Sequence, residues 1–107
     1  MSSAIKVMQP SGILDGNQAS QFRQEIAEAV QGGSEVIIVD FHNVTFMDSS
    51  GLGALVLSLK TVRSAGGKLL ICSINDQIKM LFELTDMDRV FEIFNNREEL
   101  EQKILGS

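Results

Sequence analysis

Two short apolar runs, Val36-Ile37-Ile38-Val39 and Leu69-Leu70-Ile71-Cys72, bracket a segment whose apolar residues recur at helical spacing. Leu52, Leu55, Val56, Leu59 and Val62 fall at i, i+3, i+4, i+7 intervals and so share one helical face. The two runs are continuous, not alternating, which is the pattern of strands covered on both faces. Strands joined through a helix lie parallel and are connected by a right-handed crossover. The spacing therefore predicts a parallel pair at the centre of an α/β sheet.

The flanks extend this unit. Ile5-Lys6-Val7-Met8 reads as a strand broken at Pro10, and Gly12-Ile13-Leu14-Asp15 as a second strand returning by a hairpin. Asp15 or Asn17 can cap the next helix, whose inner face is Ala19, Phe22, Ile26, Ala29 and Val30, and Gly32-Gly33 ends it. Ile78, Leu81 and Phe82 mark a short helix, Val90-Phe91-Glu92-Ile93-Phe94 a last strand, and Leu100 with Ile104 a closing helix. The expected order is ββαβαβαβα, a single α/β domain over residues 1–107 with a mixed, mostly parallel sheet. At 107 residues and 44% hydrophobic content, such a domain buries a core without disulfide or metal staples.

The chemistry concentrates where the central helix begins, at Phe46-Met47-Asp48-Ser49-Ser50-Gly51-Leu52-Gly53. Two hydroxyls there meet the unpaired N–H groups and the positive end of a helix dipole, a place that favours added negative charge such as a phosphoryl group. Ser and Asp are also the commonest helix caps, and capping alone accounts for them. It does not account for Gly51 and Gly53, each of which costs about 1 kcal/mol relative to Ala inside a helix. The pair implies close access to that backbone. Sheets of this kind function at the carboxyl ends of their strands, and Asp15 and Asp48 both fall there if their strands are parallel neighbours.

Other classes fit poorly. A net charge of −5, with no Trp or Tyr, opposes a nucleic-acid role. Lys60, Arg63 and Lys68 gather at a helix end, where cations complement the dipole. Cys72 sits in an apolar strand and reads as an inert thiol; a lone cysteine agrees with a reducing cytoplasm. Met1-Ser2-Ser3-Ala4-Ile5-Lys6 has no leader pattern, and no apolar run reaches the length of a membrane span.

The segments Val39-Asp40-Phe41 and Val44-Thr45-Phe46-Met47-Asp48-Ser49-Ser50-Gly51-Leu52-Gly53 resemble the signature of bacterial anti-sigma factor antagonists of the STAS domain family. The resemblance continues through Leu14-Asp15, Gly66-Gly67-Lys68-Leu69 and the stretch from Leu81 to Phe91. It implies that Ser50 is phosphorylated by a serine kinase that is also an anti-sigma factor. Asp15, Asp48, Ser49, Gly51 and Gly53 would then contribute to the partner-binding surface around Ser50. It further implies removal of the phosphate by a metal-dependent serine phosphatase, with no cofactor, metal or catalytic residue in this chain, which is not an enzyme. His42 and Asp86 depart from the pattern, the latter where the family often has Gly.

Three rivals remain. A two-component receiver would use Asp40 as acceptor, but Ile5-Lys6-Val7-Met8-Gln9 is followed by Pro10-Ser11 and lacks the paired acids that hold magnesium. A hydrolase built from Ser50, His42 and Asp48 or Asp40 lacks the Gly-x-Ser-x-Gly elbow. The third keeps the fold as a non-catalytic STAS scaffold or adaptor subunit of a stress-sensing assembly, a transporter appendage, or part of a lipid-trafficking complex, which fold alone does not separate from a phospho-switch.

Overall fold

A computed structural model describes residues 5–106; Met1 to Ala4, which carry most of the leader reading, lie outside the described residues. The chain runs β1 (Ile5–Met8), β2 (Ser11–Leu14), α1 (Gly16–Gln31), β3 (Val36–Asp40), β4 (Asn43–Met47), α2 (Ser49–Ser64), β5 (Lys68–Cys72), α3 (Asp76–Leu84), a 3-10 turn (Met87–Arg89), β6 (Glu92–Phe94) and α4 (Arg97–Leu105). This is the expected α/β fold with one strand added before α2, giving ββαββαβαβα.

β3 and β5 are parallel neighbours at the centre of a four-stranded sheet ordered β1-β3-β5-β6, with Val36 opposite Lys68 and Asp40 opposite Cys72. Their continuous apolar runs are explained by burial of both faces. Ile37, Val39, Leu69 and Ile71 pack beneath α1, α2 and α3 against Phe22, Ile26, Leu55, Leu59, Ile78 and Phe82. Ile38, Leu70 and Cys72 face the other way, onto Leu100 and Ile104 of α4.

The expected hairpin between the first two strands does not form. β1 pairs with β3 and β2 with β4, each in parallel. A two-residue hairpin turn needs a positive φ at its first central residue, which Gln9 disfavours, and in type I′ at its second too, which Pro10, held near −65°, forbids. The chain instead bends at Gln9-Pro10 and again at Phe41-His42, so the β2–β4 pair repeats the β1–β3 partnership on the far side of both bends. Asp40, 5% exposed, ties this corner. Its carboxylate accepts hydrogen bonds from His42 N–H at 3.0 Å and Gln9 Nε2 at 3.3 Å, and lies 3.8 Å from the Arg97 guanidinium of α4.

β4 escaped the sequence reading because its register breaks. Gly12 pairs with Val44 but Ile13 pairs with Phe46, leaving Thr45 as an extra residue. Val44 and Met47 point inward while Thr45 and Phe46 both point out, which spoils the two-residue alternation of a half-buried strand. The last strand is shorter than expected because Val90 and Phe91 finish the 3-10 turn, where the Phe91 ring packs 5.6 Å from that of Phe82.

Candidate functional site

The small β2–β4 sheet builds the site. Leu14 and Met47 are register partners at its carboxyl end, so Asp15 and Asp48 leave it side by side. It is β4, the strand absent from the expected order, that delivers Asp48 to this rim. Both aspartates have extended backbone and cap the helix that follows. Asp48 Oδ1 accepts from Gly51 N–H at 2.9 Å, and Asp15 Oδ1 accepts from Asn17 N–H at 3.0 Å and Gln18 N–H at 3.3 Å. Asp48 N–H in turn donates to the Leu14 carbonyl at 3.4 Å, closing the two strand ends on each other.

Ser49 and Ser50 are the first two residues of α2, and both are exposed. Ser50 also lies against the start of α1. A Cβ placed on Gly16 would stand 3.7 Å from Ser50 Cβ and 3.8 Å from its Oγ. The hydroxyl thus sits where the N-termini of two helices converge, a stronger setting for an anion than the single terminus inferred from sequence.

The two glycines separate. Gly51 is buried, and a Cβ there would collide with the Leu14 carbonyl and press on Met47 Cγ, so its glycine serves the approach of α2 to β2 within this chain. Gly53 is exposed, and a Cβ there would meet nothing within 4 Å. Packing gives no reason for Gly53.

Two residues that shape the site carried no motif. Gln77 Oε1 accepts from Met47 N–H at 2.9 Å while its Nε2 donates to the Met47 carbonyl at 2.8 Å. Asn75 Nδ2 donates to the carbonyls of Val44 at 3.3 Å and Thr45 at 3.1 Å, and its Oδ1 caps α3 through Ile78 N–H at 2.9 Å. These amides satisfy the backbone of β4 where no further strand adjoins it. They hold the segment that presents Asp48, Ser49 and Ser50. Only the polar character of Asn75-Asp76-Gln77 ahead of an apolar helix hinted at them.

The other candidates are engaged elsewhere. Asp40 is committed to the corner described above, and His42 is exposed beside it. Cys72 is buried, and burial pushes its thiol above the ordinary value. Among the described residues no group of three His, Cys, Asp or Glu side chains could hold a metal ion. No described helix is long and apolar enough to cross a membrane. Asp86, where the resemblance led us to expect Gly, adopts φ 60° at the start of the 3-10 turn, a left-handed conformation that Asp tolerates better than most side chains.

Residues 2–100 match the family model of the STAS domain. The chain is 32% identical over 87 residues to the anti-sigma-B factor antagonist of Staphylococcus aureus, covering 81% of each protein. It is 29% identical over 93 residues to the anti-sigma F factor antagonist of Paenibacillus polymyxa, covering 86% of this chain and 80% of that one. Among solved structures, the Bacillus cell-fate determinant SpoIIAA in its phosphorylated form superposes with a TM-score of 0.72 at 22% identity, over 95% of this chain and 93% of that one.

Proposed function

The chain belongs to the STAS domain family, and from that membership we propose that it is an anti-sigma factor antagonist switched by phosphorylation of Ser50. The observation that carries the proposal is the exposed Ser50 hydroxyl at the joined N-termini of α1 and α2, with its loop held by Asp48, Asp15 and Gln77. The named relatives are an anti-sigma F factor antagonist and an anti-sigma-B factor antagonist.

Unphosphorylated, the chain docks on an ATP-binding serine kinase that is also an anti-sigma factor. Ser50 Oγ attacks the γ-phosphorus, the new O–P bond forms as the bond to the bridging oxygen of ADP breaks, and the hydroxyl proton passes to a base on the kinase. This chain supplies the nucleophile and its position only. The added group carries a charge of roughly −1.5 to −2, which the two helix N-termini accommodate. Two charges against one partner carboxylate at about 5 Å, with an effective dielectric of about 40, repel by on the order of 3 kcal/mol, around a hundredfold in affinity. Release follows without a large conformational change. A metal-dependent serine phosphatase restores the binding form, and the cycle operates in the cytoplasm.

Pull-down with the purified chain, with and without ATP, followed by mass spectrometry, tests this reading. Ser50 is expected to be the single labelled residue, and Ser50→Ala is expected to retain its partner in ATP. Exclusive label on Ser49, or an acyl phosphate on Asp40, overturns the assignment. A stable partner with no label on any serine favours the scaffold reading.

A further inference from the structure

Beside Ser50 the β2–β4 sheet exposes two large apolar side chains. Ile13 and Phe46 are register partners, so they project from the same face, and they are 53% and 44% exposed. The bulge at Thr45 is what turns Phe46 outward. Each stands one residue before a residue that shapes the acceptor rim: Ile13 before Leu14, whose carbonyl touches the Gly51 position, and Phe46 before Met47, which leads to Asp48. An open, mostly polar depression borders Ile13, lined also by Ser11, Asp15, Asn17, Gln18 and Thr45. The face is also uniform in charge. The stretches from Val7 to Phe22 and from His42 to Leu59, which build it, contain no Lys or Arg, and their acids are Asp15 and Asp48.

We propose that Ile13 and Phe46 are the apolar anchor by which the unphosphorylated chain docks on its serine kinase. The matching partner surface lays an apolar patch on Ile13 and Phe46 and offers polar or basic groups to the depression and to Asp15 and Asp48. The inference rests on the reading of Ser50 as acceptor and deepens it by naming what gives the complex its affinity and its choice of kinase. Apolar pairs beside a charged rim are the arrangement in which a few buried side chains hold a complex while the charges steer it. A second copy of this chain is a poor occupant, because face-to-face packing would set Asp15 and Asp48 against their own equivalents with no cation between them.

The probe is the purified serine kinase that labels Ser50, loaded with ADP so that no transfer occurs and titrated with the full chain by calorimetry. Ile13→Gln and Phe46→Gln are each expected to weaken binding at least thirtyfold, about 2 kcal/mol, and to raise KM for Ser50 phosphorylation while leaving kcat near the unaltered value. Leu84→Gln serves as the control, since Leu84 is 78% exposed at the end of α3 away from β4 and is expected to change nothing. Thermal melts establish that each variant is folded. Should Phe46→Gln fail to fold, Ile13→Gln, the more exposed position, carries the test. Affinity within twofold for a folded Ile13→Gln, with Ser50 still labelled, overturns the anchor and leaves the switch standing. Loss of self-association with kinase affinity unchanged assigns the face to a second copy and overturns the proposal. Absence of any label on Ser50 in the unaltered chain removes the switch and the anchor together.

Discussion

Gly51 and Gly53 sit two residues apart in the first turn of α2, yet their surroundings predict opposite responses to the same substitution. Gly51→Ala drives a methyl into the Leu14 carbonyl, a backbone atom that cannot swing aside, so α2 must lift from β2. Overpacking of this kind destabilises by about 1–3 kcal/mol. Gly53→Ala meets open space and removes a residue of poor helix propensity, which stabilises by up to about 1 kcal/mol. In a domain of this size each kcal/mol moves Tm by about 4–8 °C, so the two melting curves are expected to flank that of the unaltered chain. Equal shifts in one direction would show that the helix start, not the contact with Leu14, governs both positions. Asp15 shows the same need to separate roles: sequence divided it between helix cap and partner contact, and its bonds to Asn17 and Gln18 establish the cap. The partner contact remains a proposal that stands beside the cap, so loss of stability in an Asp15 variant does not argue against it.

At the level of elements, β4 depends on two side-chain amides from α3 for what a neighbouring strand would ordinarily supply. Gln77→Ala removes both partners of the Met47 peptide groups and is expected to destabilise by about 2 kcal/mol, in the range for buried polar groups left unpaired. Hydrogen exchange of the Met47 amide is expected to rise well beyond that of β5 amides, and Ser50 phosphorylation to slow, because the acceptor loop loses its brace. Uniform faster exchange across both sheets would mean that Gln77 supports global stability alone. This dependence also explains which elements were legible. β3, β5 and the stripe of α2 announce themselves because burial on two faces or on one helical face imposes a period on neighbouring residues. Asp15 and Asp48 were readable as caps because a cap bonds to N–H groups two or three residues away. The bulged β4 hides its period, and the Asn75 and Gln77 clamps span about thirty residues, so no local pattern could reveal them. The pairing of β2 with β4 was hidden for a related reason: adjacency in sequence favoured a hairpin that Gln9 and Pro10 disfavour.

Across the whole molecule the acceptor loop is positioned by a corner it does not touch. β1 and β3 both bend before continuing as β2 and β4, and the Asp40 carboxylate spans the two bends through Gln9 and His42 N–H while approaching Arg97 of α4. An ion-pair reading and a corner reading give different rankings. The Asp40–Arg97 approach is long at 3.8 Å and the Arg97 side chain is 36% exposed, so the pair by itself is worth at most about 1 kcal/mol. Asp40, in contrast, is almost fully buried, and its loss removes two hydrogen bonds to a charged acceptor, each worth about 1–2 kcal/mol. Asp40→Ala is therefore expected to lower stability by about 2–4 kcal/mol and Arg97→Ala by less than about 1 kcal/mol, read as shifts of the urea midpoint at constant m-value. The corner sets the angle of β2 and β4 against the main sheet, so Asp40→Ala is also expected to slow Ser50 phosphorylation under conditions where it remains folded, and Arg97→Ala to leave it unchanged. Equal losses of stability in the two variants would assign Asp40 to the ion pair with α4 and separate the corner from the site.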